Sequence, residues 1–269
     1  MSADGVLRVA VFGLGEAGTL IAADLAAAGV AVNGYDPKSH QTVDGVVGCA
    51  DPRNAVAGVD LVMAVTAAAD ATSALRQALN QIPTGAVYAD LSTASAASKR
   101  ELAAIAAERG LAFADVALMS IVPGKGIRTP QLASGTGAER YAELLVPAGA
   151  PVTTIGGVPG DAATHKLLRS IVMKGLATLV IEAMRAGEAA GLRDWLWAQL
   201  VTEITAADEA MLRHLVEGTG PHAPRRGAEM EAAAELLDEL GVAPLMARAT
   251  VESLRRAAEQ GVPELPGSR

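Results

Sequence analysis

Three glycines near the N-terminus have the spacing of a phosphate-binding turn. The segment Val9-Ala-Val-Phe-Gly13-Leu-Gly15-Glu-Ala-Gly18 places a G-x-G-x-x-G pattern between an apolar run and a helical stretch. Gly13 permits a tight turn, Gly15 lets the backbone approach a pyrophosphate, and Gly18 lets helix and strand pack closely. The helix start adds free N–H groups and a positive dipole end. We therefore expect this turn to hold a dinucleotide through Gly13, Leu14, Gly15, Glu16, Ala17 and Gly18.

An acidic residue follows at the place where such a turn needs one. Asp36 comes 18 residues after Gly18, at the end of the second strand-like run. A carboxylate there accepts hydrogen bonds from the adenosine ribose and repels a 2′-phosphate, which favours NAD over NADP. Lys38 and His40 would partly offset that preference. Similar turns occur in unrelated α/β proteins and in domains that bind S-adenosylmethionine, but the complete strand–turn–helix–strand–Asp context favours a dinucleotide.

Three polar residues recur along a long helical segment and could perform chemistry. Lys166, Ser170 and Lys174 are spaced i, i+4, i+8 and therefore share one helix face. On the functional interpretation, Lys166 protonates a substrate oxygen as hydride arrives and removes that proton in reverse, since desolvation lowers a lysine pKa. Ser170 would orient the substrate or the ammonium, and Lys174 would contact an anion. A solvated helix face shows the same spacing, so periodicity alone leaves both interpretations open.

Two other groups of basic residues lie outside this helix. Lys125 and Arg128 occupy a glycine-rich loop that could hold a carboxylate or phosphate, or could be merely exposed. His222, Arg225 and Arg226 lie at a predicted helix start, where cations are unfavourable unless an acidic partner or anion is present. A solvated corner between helices is the alternative there.

Composition excludes several classes of function. The 269 residues carry a net charge of -8, which argues against a nucleic-acid partner. The single cysteine permits no intramolecular disulfide, and neither it nor the four histidines show metal-ligand spacing, so we expect no metal. No G-x-S-x-G elbow of a serine hydrolase occurs. Without a signal core or a run of about 20 apolar residues, the chain is predicted to be cytoplasmic and to have no membrane partner.

The first part of the chain alternates strand-like and helical stretches. Such alternation predicts βαβ units and a largely parallel sheet, and the continuous apolar runs predict a sheet covered on both faces. The candidate strands are residues 9–12, 31–35, 61–65, 86–91, 112–117, 131–134 and 152–155. The helices between them are predicted at 16–28, 71–79 and 95–109.

After the glycine-rich segment 156–160 the pattern becomes entirely helical. We predict a Rossmann dinucleotide-binding domain at 1–158 and an all-α domain at 159–269. The helices of the second domain are expected at 161–190, 194–216, 225–240 and 244–259. The first would be about 45 Å long at 1.5 Å per residue.

Taken in order, these motifs resemble the β-hydroxyacid dehydrogenases, the superfamily of 3-hydroxyisobutyrate and 6-phosphogluconate dehydrogenases. The matching landmarks are the glycine turn, Asp90-Leu-Ser92-Thr93, Asp115-Val-Ala-Leu-Met-Ser120, and Gly160 with Lys166. The C-terminal part is similar to a helical domain of uncertain function found on bacterial members. The resemblance implies an active site in the cleft between domains, hydride transfer from nicotinamide C4, and a homodimer formed through the helical domains.

The resemblance also implies roles for particular residues. Lys166 is the expected catalytic acid and base, with Ser170 and Ser120 contacting the substrate. The expected cofactor contacts beyond the glycine turn are Asp36, Val65, Thr66, Ser92 and Thr93. Two departures bear on the substrate: Ser120 lacks the two glycines that follow it in the family, and Ser170 replaces the family's asparagine. A helix-capping role for Ser92 and Thr93 is the alternative to cofactor binding.

These inferences predict an NAD(P)-dependent dehydrogenase or reductase acting on a small 3-hydroxy acid or related carbonyl compound, with an anionic substrate. An imine reductase is the alternative within the same class, because reduction of C=N needs no lysine to protonate oxygen. A non-catalytic dinucleotide sensor would keep the glycine turn and Asp36 but have no functional acid. A methyltransferase with the same turn would normally lack the long helix.

Overall fold

The computed structural model describes residues 5–38 and 42–267, so His40 lies outside the described residues. The chain divides into two compact units, Met1–Arg169 and Ser170–Arg269. This division falls inside the long helix, whereas the change of sequence character falls at residue 158.

An eight-stranded sheet forms the centre of the N-terminal unit, in the order β3-β2-β1-β4-β5-β6-β7-β8. The strands are β1 (Arg8–Phe12), β2 (Ala31–Tyr35), β3 (Val46–Gly48), β4 (Leu61–Ala64), β5 (Val87–Asp90), β6 (Ala112–Leu118), β7 (Gln131–Ser134) and β8 (Val152–Thr154). Neighbouring strands pair in parallel except β6 and β7, which are antiparallel. The predicted Rossmann-type, mostly parallel sheet is therefore confirmed.

Helices cover both faces of this sheet. They are α1 (Glu16–Ala27), α2 (Pro52–Ala55), α3 (Ala71–Ala78), α4 (Ala96–Ala107) and α5 (Ala138–Leu145). Because side chains alternate along a strand, Val9 and Val11 enter one buried apolar cluster while Ala10 and Phe12 enter the other. The sheet therefore has a core on each side, as its continuous apolar strands predict.

Three elements of this unit are not predicted by the sequence. β3 has only three residues and α2 only four, too short to give a recognisable period. α5 is a true amphipathic helix, with Ala138, Tyr141, Leu144 and Leu145 buried at helical spacing. It lies between the predicted strands 131–134 and 152–155, where the sequence predicts no helix.

The remaining elements are helices, which confirms the helical C-terminal region. They are α6 (Asp161–Ala189), α7 (Arg193–Thr205), α8 (Glu209–Glu217), α9 (Ala223–Glu239) and α10 (Leu245–Gln260). The prediction of one helix over 194–216 is wrong. Asp208 ends that continuity because its side chain accepts a hydrogen bond from the Met211 amide at 2.9 Å and caps α8.

A buried carboxylate stabilises the start of α10. Glu182, in α6, is 9% exposed and accepts hydrogen bonds from the amides of Met246 (2.7 Å) and Ala247 (2.8 Å). These are first-turn N–H groups that have no partner within their own helix. Within the described residues, no helix is long and apolar enough to cross a bilayer.

Candidate functional site

The glycine turn connects β1 to α1 in the geometry that its spacing predicts. Gly13 has φ +87°, and its amide donates to the Tyr35 carbonyl at 2.9 Å. A Cβ on Gly18 would lie 1.8 Å from the Gly13 carbonyl oxygen, so only glycine allows this close packing. A Cβ on Gly15 would meet nothing within 4 Å. The turn is therefore tightly packed at Gly18, whereas Gly15 leaves open space that a phosphate could occupy.

Asp36 is fixed at the end of β2 by two backbone amides. Its carboxylate accepts from the Leu14 amide at 2.8 Å and from the Lys38 amide at 2.8 Å. The Leu14 amide, expected to contact the cofactor, is thus already engaged by Asp36. Because each carboxylate oxygen has a second lone pair, Asp36 can still accept from a ribose hydroxyl.

A pocket opens beside Asp36, between the ends of β2 and β4. Gly13, Gly15, Asp36, Val65 and Thr66 all line it, which brings together cofactor residues proposed from distant parts of the sequence. The Thr66 hydroxyl oxygen is buried and has no hydrogen-bond partner within the described residues. A buried hydroxyl without a partner is energetically unfavourable.

An ion pair lies at the rim of the same pocket. Lys38 Nζ is 2.8 Å from Asp70 Oδ2, and both side chains are exposed. Hydrogen bonding to Asp70, more than any other contact, raises the pKa of Lys38. The ammonium that could have offset Asp36 is therefore paired with a second carboxylate.

The loop after β5 turns its two candidate side chains in different directions. Ser92 is buried and donates to Asp90 Oδ2 at 2.8 Å. Thr93 is exposed, and its hydroxyl accepts from Lys166 Nζ at 2.9 Å, a contact between residues 73 positions apart. Ser95, rather than either of them, caps α4 by accepting from the Ser98 amide at 3.1 Å.

The third candidate segment lies after β6, the neighbour of β5. The Ser120 hydroxyl accepts from Lys125 Nζ at 2.7 Å, so the basic loop residue lies beside the predicted substrate serine. The loop is tied to α1, because Asp24 accepts from the Ile127 amide at 3.0 Å. Arg128 is exposed.

The remaining candidate residues do not come together in one site. Lys174 is exposed and Ser170 is half-buried, with no side-chain hydrogen bond to any described residue. Arg225 pairs with Glu229 at 2.9 Å, and Arg226 donates to Thr219. His222 is exposed at the end of a short 3-10 turn. Across residues 5–38 and 42–267, no group of three His, Cys, Asp or Glu side chains could hold a metal ion.

A buried ionic cluster joins α4 to β5 and β6, and the sequence does not predict it. Lys99, on α4, is 1% exposed, and its ammonium lies 2.6 Å from Asp90 Oδ2 and 3.2 Å from Asp115 Oδ1. It also donates to the Asp90 carbonyl at 2.8 Å. In the sequence, Asp90 and Asp115 stand out only as family landmarks, and Lys99 looks like an ordinary exposed lysine of a helix.

Comparisons with known proteins agree with this geometry. Residues 8–123 match the NAD-binding domain of 6-phosphogluconate dehydrogenase, and residues 188–257 match a domain of unknown function, DUF1932. The chain is 27% identical over 215 residues to an NAD-dependent L-serine dehydrogenase of Pseudomonas aeruginosa, covering 76% of this chain and 72% of that protein. It is 25% identical over 173 residues to an uncharacterised 28.5 kDa protein of Methanothermus fervidus, covering 64% of this chain and 66%, just under two thirds, of that protein.

Solved structures with similar folds include relatives of the dehydrogenases. A conserved protein of unknown function, described as similar to 3-hydroxyacid dehydrogenases, is 26% identical with a TM-score of 0.61, covering 96% of this chain and 100% of that one. Together these similarities support the β-hydroxyacid dehydrogenase-like superfamily. The imine reductase of Myxococcus stipitatus, solved with NADP+, shares the fold at 20% identity and a TM-score of 0.80, covering 95% of each chain.

The comparisons support the family expected from the sequence and, with it, an oxidoreductase that binds NAD(P). The residues present fit such a cofactor. The open space at Gly15 and the uncapped start of α1 would accommodate a phosphate, and the Asp36 carboxylate could accept a hydrogen bond from a ribose hydroxyl.

Proposed function

We propose that this chain transfers hydride between NAD(P) and a small 3-hydroxy acid or related carbonyl compound, with Lys166 as the general acid and base. The observation that carries the proposal is the 2.9 Å contact between Lys166 Nζ and Thr93 Oγ1. It puts an ammonium group beside the loop that follows β5. Ligands of open α/β sheets bind at this carboxyl edge of the strands.

The proposed chemistry divides between cofactor and protein. When bound, the nicotinamide supplies or accepts the hydride. In the reductive direction Lys166 donates a proton to the substrate oxygen, and in the oxidative direction it removes that proton from the hydroxyl. Thr93 accepts a hydrogen bond from Lys166 and so limits the directions in which the ammonium can point. Ser120 and Ser170 are proposed to contact the substrate.

A carboxylate or other anionic group is the proposed substrate feature that lies next to Ser120. Lys125 supplies the charge for it, since its ammonium is 2.7 Å from the Ser120 hydroxyl. The similarity to a serine dehydrogenase supports a 3-hydroxy acid, because serine carries its hydroxyl on C3.

NAD is the proposed preferred form of the cofactor. Asp36 directs a fixed carboxylate at the pocket, and the rim ammonium of Lys38 is neutralised by Asp70. A 2′-phosphate would therefore approach two carboxylates and one ammonium. Titration of the purified chain with NADH and NADPH, followed by cofactor fluorescence, tests this preference, and tighter binding of NADPH would refute it.

A homodimer through the helical region is also proposed. α7 and α8 contain no buried residue, and Trp195 and Trp197 of α7 are 60% and 55% exposed. Residues 171–181 of α6 add Ile171, Val172, Met173, Leu176, Leu179 and Ile181, each at least 38% exposed. Such an apolar surface requires cover, and a second copy is the commonest partner of a soluble chain.

Substrate-dependent oxidation of NADH tests the reaction itself. We expect turnover with 3-oxo acids or the corresponding aldehydes, and loss of turnover in Lys166→Met with NADH affinity retained. Turnover of cyclic imines that survives Lys166→Met would favour an imine reductase. Tight NADH binding with no turnover on hydroxy acids, carbonyls or imines would favour a sensor.

A further inference from the structure

The start of α6 is held by a side chain from the sheet. Asp115, on β6, is fully buried, and its Oδ2 accepts from the amides of Gly160 (3.0 Å) and Ala163 (3.0 Å). Ser134, its register partner on β7, donates to the same oxygen at 3.3 Å and accepts from the Ala162 amide at 3.1 Å. Three amides at the start of the helix that carries Lys166 are thus satisfied from two strands.

The loop that carries Thr93 begins at the other carboxylate of the same cluster. Asp90 is the last residue of β5, is fully buried, and accepts from the Ser92 hydroxyl at 2.8 Å. Asp90 and Asp115 are register partners on adjacent strands, so their carboxylates approach the same point from neighbouring strands. Lys99 lies at that point and contacts both.

Charge balance makes the lysine necessary. Two buried carboxylates face one ammonium, which leaves one negative charge that the positive end of α6 offsets. Without Lys99 the two buried carboxylates would repel each other in a dry environment, and the two segments they anchor would separate. Their separation would disturb the segments that present Thr93 and Lys166 to each other.

We propose that Lys99 is a positioning residue of this site. By joining Asp90 to Asp115, it fixes the loop of Thr93 against the helix start of Lys166 and so sets the direction of the catalytic ammonium. This inference rests on the proposed role of Lys166. Lys99 itself touches neither cofactor nor substrate, because its side chain is 1% exposed.

The test separates positioning from general destabilisation. In Lys99→Met we expect kcat to fall about tenfold or more, because small displacements of a reacting group cost large factors in rate. The Kd for NADH should change far less than kcat, because Ser92 and Thr93 are the only expected cofactor contacts in the displaced loop and the pocket beside Asp36 contains none of these residues. Tyr141→Phe is the matched control. Tyr141 lies on α5, and this change removes its buried hydrogen bond to Gln131 of β7, at 2.6 Å, but none of the hydrogen bonds to α6. It should leave kcat unchanged.

Hydrogen–deuterium exchange supplies a measurement that needs no substrate. In Lys99→Met, amides in residues 160–166 should exchange at least about tenfold faster, while those of β1 and α1 keep the wild-type rate. Unchanged exchange at 160–166 would overturn the positioning role even if no substrate is found. Lack of turnover in the wild-type chain would count against the proposed function alone.

A milder variant covers the case in which Lys99→Met does not fold. Ser134→Ala removes one hydrogen bond to Asp115 and one to the Ala162 amide but keeps all three charges. We expect faster exchange at 160–166 and a severalfold lower kcat with unchanged NADH affinity. Wild-type values for both, or a proportional loss of NADH affinity, would refute the proposal.

Discussion

The two units of this chain differ sharply in how much apolar surface they bury. The N-terminal unit has a core on each face of its sheet, with large side chains such as Phe12, Ile21 and Leu25 at most 1% exposed. Among the described residues of the C-terminal unit, the buried hydrophobic side chains are Ala223, Ala234, Leu237 and Ala247. Only one of these is larger than alanine.

This difference indicates two sources of stability. The sheet unit packs against itself and can therefore hold the glycine turn and the proposed catalytic Lys166 at fixed positions. The helices of the second unit satisfy their backbone internally but leave α7 and α8 without any buried face. Helical stability in proteins comes mainly from packing of an apolar face, which is the reason for proposing that a second copy covers these helices.

Replacement of Lys166 should give the largest change in kcat and would show that catalysis depends on a residue of the first unit. In Lys166→Met we expect kcat to fall by about 100- to 10,000-fold, as for loss of a general acid, with NADH affinity unchanged. Lys174→Met, eight residues later in the same helix and exposed, is the control and should keep turnover within about twofold. Steady-state kinetics and NADH titration measure both. Equal losses in the two variants would contradict an assignment to Lys166.

A charge in the apolar surface of the second unit should separate the proposed dimer. Ile171 is 70% exposed, and in a symmetric interface its replacement acts twice. We expect Ile171→Lys to weaken association about 100-fold, measured by sedimentation equilibrium. Val146→Lys makes the same change at a 52% exposed position of the first unit and should leave the mass unchanged. A wild-type chain that remains monomeric would refute the dimer.

The same glycine substitution should have opposite effects in the two units. Gly18→Ala places a Cβ 1.8 Å from the Gly13 carbonyl, so we expect the free energy of unfolding to fall by about 1–3 kcal/mol and NADH binding to weaken. Gly175, inside α6, has nothing within 4 Å of its Cβ position. Gly175→Ala should raise the free energy of unfolding by about 0.5–1 kcal/mol. Denaturant melts give both values, and destabilisation by both would show that Gly175 is packed.

Cofactor preference should respond modestly to the rim of the pocket. Asp70→Asn removes one negative charge and releases Lys38, so the affinity for NADPH relative to NADH should rise about two- to fivefold, as for an exposed pair. Asp238→Asn removes a similarly exposed carboxylate, paired with Arg248 at 2.6 Å in the second unit, and should not change the ratio. A ratio unmoved by Asp70→Asn would leave Asp36 as the sole determinant.

The sequence predicts those features whose residues lie close together along the chain. The glycine turn and Asp36 act through a single strand–turn–helix–strand unit, so spacing alone places them in one pocket. Lys166 could be singled out only through family resemblance, because its helical spacing also fits a solvated face. Its approach to Thr93 depends on packing between segments 73 residues apart, which no local pattern encodes.

The sequence fails most clearly at Lys99. Lysine in a helix normally marks an exposed face, and it is buried here only because two strands bring carboxylates to the same place. The sequence does not predict the break between α7 and α8 for a different reason. Asp208 provides a cap only in the observed backbone conformation, while its neighbours Ala206, Ala207 and Glu209 favour helix.

The placement of the two tryptophans has a practical consequence. Both lie in α7, at positions 195 and 197, and none occurs in the sheet unit. Indole emission therefore reports on one helix alone, and a blue shift with rising protein concentration would follow association without any attached dye. Nicotinamide emission reports on the other unit, so one cuvette can follow ligand uptake and self-assembly as separate optical signals.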